Sequence, residues 1–144
     1  MKKILLCLVL VFFITACGNK TLICEGTILD NDEIKIEESI KFVMSSAQVF
    51  EATSTVKYFF KVNVEENLDI LEIDIKESVS AFDDSAGVTS TYFRNPGSIG
   101  VDTKLILDKL TLEEIEYFSG IAGLRGKTHS ETVKAMNSIG YICR

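Results

Sequence analysis

Between residues 34 and 44 the chain alternates: Ile34, Ile36, Ile40, Phe42 and Met44 stand against Lys35, Glu37, Ser39, Lys41 and Val43. A period of two places one set of side chains on a core and the other in solvent, which predicts a strand buried on one face. The next segment repeats the pattern, with Phe50, Ala52, Val56, Tyr58, Phe60 and Val62 in one phase and Glu51, Thr53, Thr55, Lys57 and Lys61 in the other. Ser45 to Gln48 turn the chain between them. Thr21 to Leu29 form a preceding strand, set off by Asp30-Asn31-Asp32, so three sequential strands predict an antiparallel meander.

The period then lengthens. Leu68, Leu71, Ile75, Val79 and Phe82 recur at spacings of three and four, and Asn63 followed by Glu66 offers a cap with a reciprocal carboxylate, so a helix of four to five turns is expected. Leu68 to Ile75 also nearly alternate, which leaves a strand open there; continuation of the stripe to Phe82 favours the helix. Val88–Phe93 and Ile99–Leu107 flank the turn Arg94-Asn95-Pro96-Gly97 and predict a hairpin. Thr111-Leu112-Glu113-Glu114 and Thr128-His129-Ser130-Glu131 are two capping boxes, each opening a short helix that closes near Gly120 or Gly140. Leu112, Ile115 and Phe118 are expected inward on the first, and Val133, Met136 and Ile139 on the second. Tyr141 to Cys143 complete a terminal strand. The order is βββαββααβ, an α+β fold with helices packed on one face of an antiparallel sheet.

Ahead of this domain, Lys2 and Lys3 precede an apolar run from Ile4 to Ile14, and Ile14-Thr15-Ala16-Cys17 follows. A basic start, a short apolar core and a small residue before cysteine have the form of a bacterial lipoprotein signal in which Cys17 takes the lipid. A spanning helix needs about 20 apolar residues, and Gly18-Asn19-Lys20 ends this run too soon. An ordinary secretory signal requires no cysteine after Ala16. The expected organisation is a signal over 1–16, a lipidated tether over 17–20 and one α+β domain over 21–144. Removing 1–16 leaves 128 of the 144 residues, enough for one core.

The signal changes the charge and cysteine counts. All 21 acidic residues remain, whereas two of the 15 basic ones leave with it, so the mature net charge is −8. That balance argues against nucleic acid as a partner and against adsorption of the free domain to anionic lipid. Of the 4 cysteines, Cys7 leaves with the signal and Cys17 carries lipid. Cys24 and Cys143 remain at opposite ends of the domain, and outside the cytoplasm they can form one disulfide. Two buried free thiols, or a metal or redox pair, are the alternatives at this level.

Catalytic chemistry has little to stand on. His129, the only histidine, falls in the first turn of a predicted helix, with no nucleophile elbow and no metal-ligand spacing beside it. The carboxylates Glu65-Glu66, Glu72 with Asp74, Asp83-Asp84 and Glu113-Glu114-Glu116 read as solvated faces. Asp30-Asn31-Asp32-Glu33 lacks the glycine and distal glutamate of a calcium loop. Gly120 to Gly126 carries three glycines without the Lys-Ser or Lys-Thr of a phosphate loop. No cofactor, metal or catalytic residue is assigned, and the chain is expected to be no enzyme.

A lipobox ending Ala16-Cys17-Gly18, a small acidic α+β domain with a strand-rich first half, and a capped helix leading into Ile139-Gly140-Tyr141 together resemble the YehR-like family of small bacterial lipoproteins. The resemblance implies lipidation of Cys17 and pairing of Cys24 with Cys143, as in some Gram-positive relatives. It implies no catalytic residues, the family having no assigned function. Ile- and Lys-rich composition points to a Gram-positive source and hence to the outer face of the cell membrane. The expected function is that of a membrane-anchored binding or envelope-accessory domain with an envelope protein as partner. A small envelope enzyme or small-ligand binder is the alternative.

Overall fold

The computed structural model describes residues 18–144; the signal and Cys17 lie outside the described residues. Six strands form one antiparallel sheet in the order β4-β5-β3-β2-β1-β6. They are β1 Lys20–Asp30, β2 Ile34–Ser45, β3 Gln48–Phe60, β4 Val88–Asn95, β5 Ser98–Ile106 and β6 Ile142–Cys143. Between β3 and β4 runs α1, Val64–Ser80. After β5 come a 3-10 turn at Leu107–Lys109, then α2 Leu112–Tyr117, α3 Ser119–Ala122 and α4 His129–Ser138. The fold is α+β, as expected.

Alternation explains which face is buried. Leu22, Cys24, Ile40, Phe42, Met44, Ala52, Leu105 and Val88 stand in one phase across the strands and pack under α4 and the α2–α3 segment, with Leu107, Leu124 and Met136 closing that cluster. In the same phase, Tyr58, Phe60, Ile99 and Val101 pack under α1, which contributes Leu68, Leu71, Ile75 and Val79. Residues 68–75 are therefore helix. Ile70 and Ile73, off the stripe, are exposed.

Several local expectations need correction. Asn63 precedes α1 but adopts a left-handed backbone (φ 45°), makes no side-chain cap, and has no reciprocal bond with Glu66. Its amide-bearing neighbour Asn67 instead donates to the Val62 carbonyl, 2.9 Å away. Phe82 lies past the helix end, against the rings of Tyr117 (5.5 Å) and Phe118 (5.4 Å). In β3 the register shifts between Val43 and Met44, so Phe50 is the extra, half-buried residue and Val49 takes the core position. The helix expected after Thr111 is split in two. Leu112, 87% exposed, and Ile115, 37% exposed, point outward, and only Phe118 reaches the core. Just past α4, Ile139 is 66% exposed, while Val133 and Met136 on the helix face inward.

Both Thr-x-x-Glu capping boxes close: Thr111 with Glu114, Thr128 with Glu131. Hydrogen bonds hold the Glu114 carboxyl, first from Ser85 and then from the Thr111 amide, below the usual carboxylate range. The β4–β5 turn uses Pro96 and Gly97, the latter at φ 77°, as a type II geometry requires. On the outer sheet face Phe93 lies over its cross-strand partner Gly100; a Cβ there would stand 2.3 Å from the ring and 2.7 Å from the Val56 carbonyl oxygen. Because the backbone oxygen cannot swing aside, Gly100→Ala should lower stability by about 1–3 kcal/mol in urea unfolding. Leu68→Ala, which empties a site with no exposure, should cost about 2–5 kcal/mol.

Candidate functional site

Two polar features stand out from the one-sided burial, and both involve β1, β2 and β6. The first is a clasp. Cys24 and Cys143 are register partners on β1 and β6 and form a disulfide with Cα atoms 4.0 Å apart. Ile23 and Arg144 exchange backbone hydrogen bonds of 3.0 and 2.8 Å beside it, which makes the cysteines a non-hydrogen-bonded pair, where side chains approach most closely. Tyr141, just before β6, lays its ring over Gly26, where an added Cβ would meet it at 3.0 Å. Its hydroxyl donates to Glu38 Oε2.

Glu38 is the unexpected member. It occupies the inward phase of β2, opposite Gly26 and Val56, between the buried Ile40 and the half-buried Ile36. Ser54 Oγ donates to its second oxygen at 2.5 Å, so both carboxylate oxygens are satisfied. One step across the sheet, Ser90 and Thr103 hydroxyls meet at 3.0 Å. The sequence carried a signal for this row: the carboxylate of Glu38 interrupts an otherwise apolar phase. Burial, then the Glu38 bond, pushes the Tyr141 phenol well above its ordinary range. Tyr58 is also raised, mainly by burial and then by the Glu38 charge.

The second feature is the open sheet face. Glu25, Thr27, Glu37, Ser39, Thr55 and Lys57 alternate with core residues and line a concavity of about 680 Å³ at the β6 side of the sheet. Glu37, Ser39 and Thr55 are half-buried although the helices pack on the opposite face. Glu37 and Glu25 are matched locally: Lys35 with Glu37 at 2.5 Å, Arg144 with Glu25 at 2.7 Å. The hydrogen bond that Lys35 donates to Glu37 is the main cause that raises its ammonium pKa. Thr55 Oγ1 donates to Asp102 at 2.6 Å. A smaller concavity of about 320 Å³ lies between Phe82, Glu113 and Tyr117.

The remaining candidates from sequence do not converge on a reacting centre. His129 is exposed at the start of α4. Glu65 and Glu72 join Asp69 around the single guanidinium of Arg94, at 3.0, 2.7 and 2.7 Å, and so tie α1 to β4. Asp30 pairs with Lys61 at 2.6 Å, and the Asn31 side chain accepts from Glu33 and Ile34 amides, which makes residues 30–33 a turn. The Gly120–Gly126 stretch spends its polar groups on the sheet: the Gly126 amide bonds the Val49 carbonyl at 2.9 Å, and the Val49 amide bonds the Lys127 carbonyl at 3.0 Å.

No family model and no curated protein matches the chain. Solved structures do. The NMR structure of the YehR protein of E. coli is 19% identical, with a TM-score of 0.58 over 88% of this chain and 92% of that one. A protein of Streptococcus pneumoniae TIGR4, also solved by NMR, is 11% identical, with a TM-score of 0.55 over 88% and 87% of the two chains. The chain therefore has the fold of YehR, and the likeness expected from sequence is borne out at that level.

Replacing both Cys24 and Cys143 by Ala should lower stability by about 2–5 kcal/mol in denaturant unfolding. For Tyr141 the folded-state pKa is raised, so its contribution is fully present below the unfolded value of about 10 and is lost as pH climbs past it. The stability difference between the natural chain and Tyr141→Phe, measured by thermal unfolding, should accordingly be constant from neutral pH to pH ~9.5 and shrink above ~10.

Proposed function

We propose that this chain is a YehR-like lipoprotein, anchored through lipid on Cys17 at the extracytoplasmic face of a bacterial cell membrane, where its α+β domain acts as a binding or envelope-accessory module. The observation that carries this reading is the Cys24–Cys143 disulfide, seven residues past the lipobox cysteine at its near end. A bridge between the two ends of a domain persists in an oxidising compartment and is kept reduced in a cytosol. The lipobox and the disulfide thus point to the same side of the membrane. No helix among the described residues is long and apolar enough to cross a membrane. Lipid burial contributes about 0.8 kcal/mol per methylene, and two or more acyl chains hold a protein durably.

A binding role rests on the concave sheet face. Its lining combines hydroxyls, the ion-paired Glu25 and Glu37, and Lys57 with the exposed Ile142, suited to hydrogen-bonding a polar ligand or partner, and the one histidine lies elsewhere, at the start of α4. Cys17→Ala should shift the protein from the membrane to the soluble fraction of fractionated cells and abolish metabolic labelling with an acyl analogue. Acyl label on the variant, or membrane retention equal to that of the natural chain, would refute the anchor. A photo-crosslinking side chain at Ser39 should capture an envelope component in intact cells that the same probe at Lys134, on the exposed side of α4, does not; equal capture at both would remove the binding role from this face.

A further inference from the structure

The lipid attachment lies very close to one end of the sheet, and that closeness bears on how the domain sits. Only Gly18 and Asn19 separate Cys17 from Lys20, the first residue of β1. Three Cα steps span at most roughly 11 Å, so this end of β1 cannot leave the headgroup region. The strand pairing shows what else lies at that end. Lys20 pairs with Met44 at the end of β2, and Ser45 pairs with Gln48 at the start of β3. The Lys127–Thr128 segment bonds β3 there, and the 3-10 turn ending at Lys109 follows β5 beside it, held to the same loop by Arg125 and Asp108 at 2.7 Å. Strand spacing of about 4.8 Å places these groups within roughly three strands of the anchor.

Lys20 and Lys127 are exposed there, and neither is in an ion pair among the described residues; Lys109 lies at the far side, its backbone against Gly87 just ahead of β4. Two acids share this end. Asp108 is taken by Arg125, and Glu131, which caps Thr128, also faces Lys127 and offsets part of its charge. Asp83, Asp84, Glu113 and Glu116 gather beneath β4, since Glu114 bonds Ser85 just ahead of that strand. β4 is four strand spacings from β1, about 19 Å across the sheet. The opposite end of the sheet carries the Asp30 to Glu33 turn and the Glu65-Glu66 start of α1, where Lys61 matches Asp30 and Arg94 matches Glu65, while Asp32, Glu33 and Glu66 are in no ion pair among the described residues.

We infer that the rim under β1, β2 and β3, with Lys20 and Lys127, rests on anionic phospholipid headgroups, so that the domain stands with its β1–β2 turn outermost and its β4 side lifted. The inference rests on the lipid at Cys17 proposed above and adds to it a fixed orientation. The net charge of −8 opposes adsorption of the free domain, but tethering removes that obstacle and leaves the local charge pattern to choose the tilt. The negative potential of an anionic leaflet extends about one Debye length, 8–10 Å, so it acts on the lysines beside the anchor and fades before reaching the far turn.

The chain has no tryptophan, so single-tryptophan variants report position directly. The full precursor carrying Ser45→Trp, Asp84→Trp or Asp32→Trp would be produced in a lipoprotein-processing host, its lipid on Cys17 verified by intact mass, and reconstituted in phosphatidylcholine–phosphatidylglycerol vesicles with brominated lipid. Quenching should be greatest for Ser45→Trp, at least roughly threefold above Asp32→Trp, with Asp84→Trp between them. Adding Lys20→Glu and Lys127→Glu should level this order, as should omission of phosphatidylglycerol, at an unchanged unfolding midpoint. Equal quenching at Ser45 and Asp32 in lipidated protein, or an order indifferent to charge reversal, would overturn the orientation while leaving the anchor intact. An unmodified Cys17 would overturn both.

Discussion

A two-residue strand cannot hold itself at the edge of a sheet, and the fold depends on how β6 overcomes this. Its own ladder comprises two register pairs and the backbone exchange between Ile23 and Arg144. What keeps it there is covalent and aromatic: the disulfide to Cys24, the Tyr141 ring over Gly26, and the Tyr141 hydroxyl on Glu38. The loop closed by the bridge spans 119 residues, so in the chain-entropy view the constraint falls mainly on the unfolded ensemble, at about 4–5 kcal/mol. The C-terminal segment after α4 is moored through it. α4 packs against β1 and β6, and Met136 enters the same cluster as Leu22 and Cys24.

The inner sheet face is divided by a polar row. Glu38, Ser54, Thr103 and Ser90 cross β2, β3, β5 and β4, and the buried apolar residues fall into one cluster under α1 and another under the later helices. Such a row costs desolvation and is tolerated because each member has a partner. Its effect is on register. Slipping β2 by one residue against β3 would turn Glu38 outward together with Ile36, Ile40 and Phe42, and carry the charged Lys35, Glu37 and Lys41 onto the core face. Tyr141 extends the same logic to the C-terminus, because its hydroxyl reaches Glu38 only when Cys143 stands opposite Cys24.

The sheet and its one-sided burial were legible because period-two alternation is a direct consequence of a pleated strand, and residues 34–60 show it almost without interruption. The two threonine capping boxes were legible for a similar reason, since the motif is local and both halves of each bond lie within three residues. What escaped was set by tertiary context. The bulge at Phe50 exchanges it for Val49 in the core, and nothing in the composition of that segment marks the extra residue. Leu112 and Ile139 match helical inward spacing, yet six-residue α2 and the end of α4 are oriented by Phe118, Met136 and the disulfide rather than by their own stripes. Asn63 has the composition of a cap but turns left-handed because the chain must reverse from β3 into α1. The concave outer face was illegible for another reason: the polar residues of a curved sheet face and a flat one read alike.

A lipid on Cys17, as proposed, would lie three residues ahead of β1 and load that strand in particular. β1 is flanked on one side by β2, with ten register pairs, and on the other by β6. A pull along β1 from its N-terminal end therefore acts in shear on a ladder whose hydrogen bonds resist together, instead of peeling an edge strand one bond at a time. Seven residues in from Cys17, the disulfide ties the loaded strand to the C-terminal segment and through it to α4. With the lipid proposed for Cys17, the clasp and the tether are parts of one arrangement: the point where the chain is held lies beside the point where its two ends are joined. The β4 edge and the β1–β2 turn, four strands and one strand length away, are left free of that load.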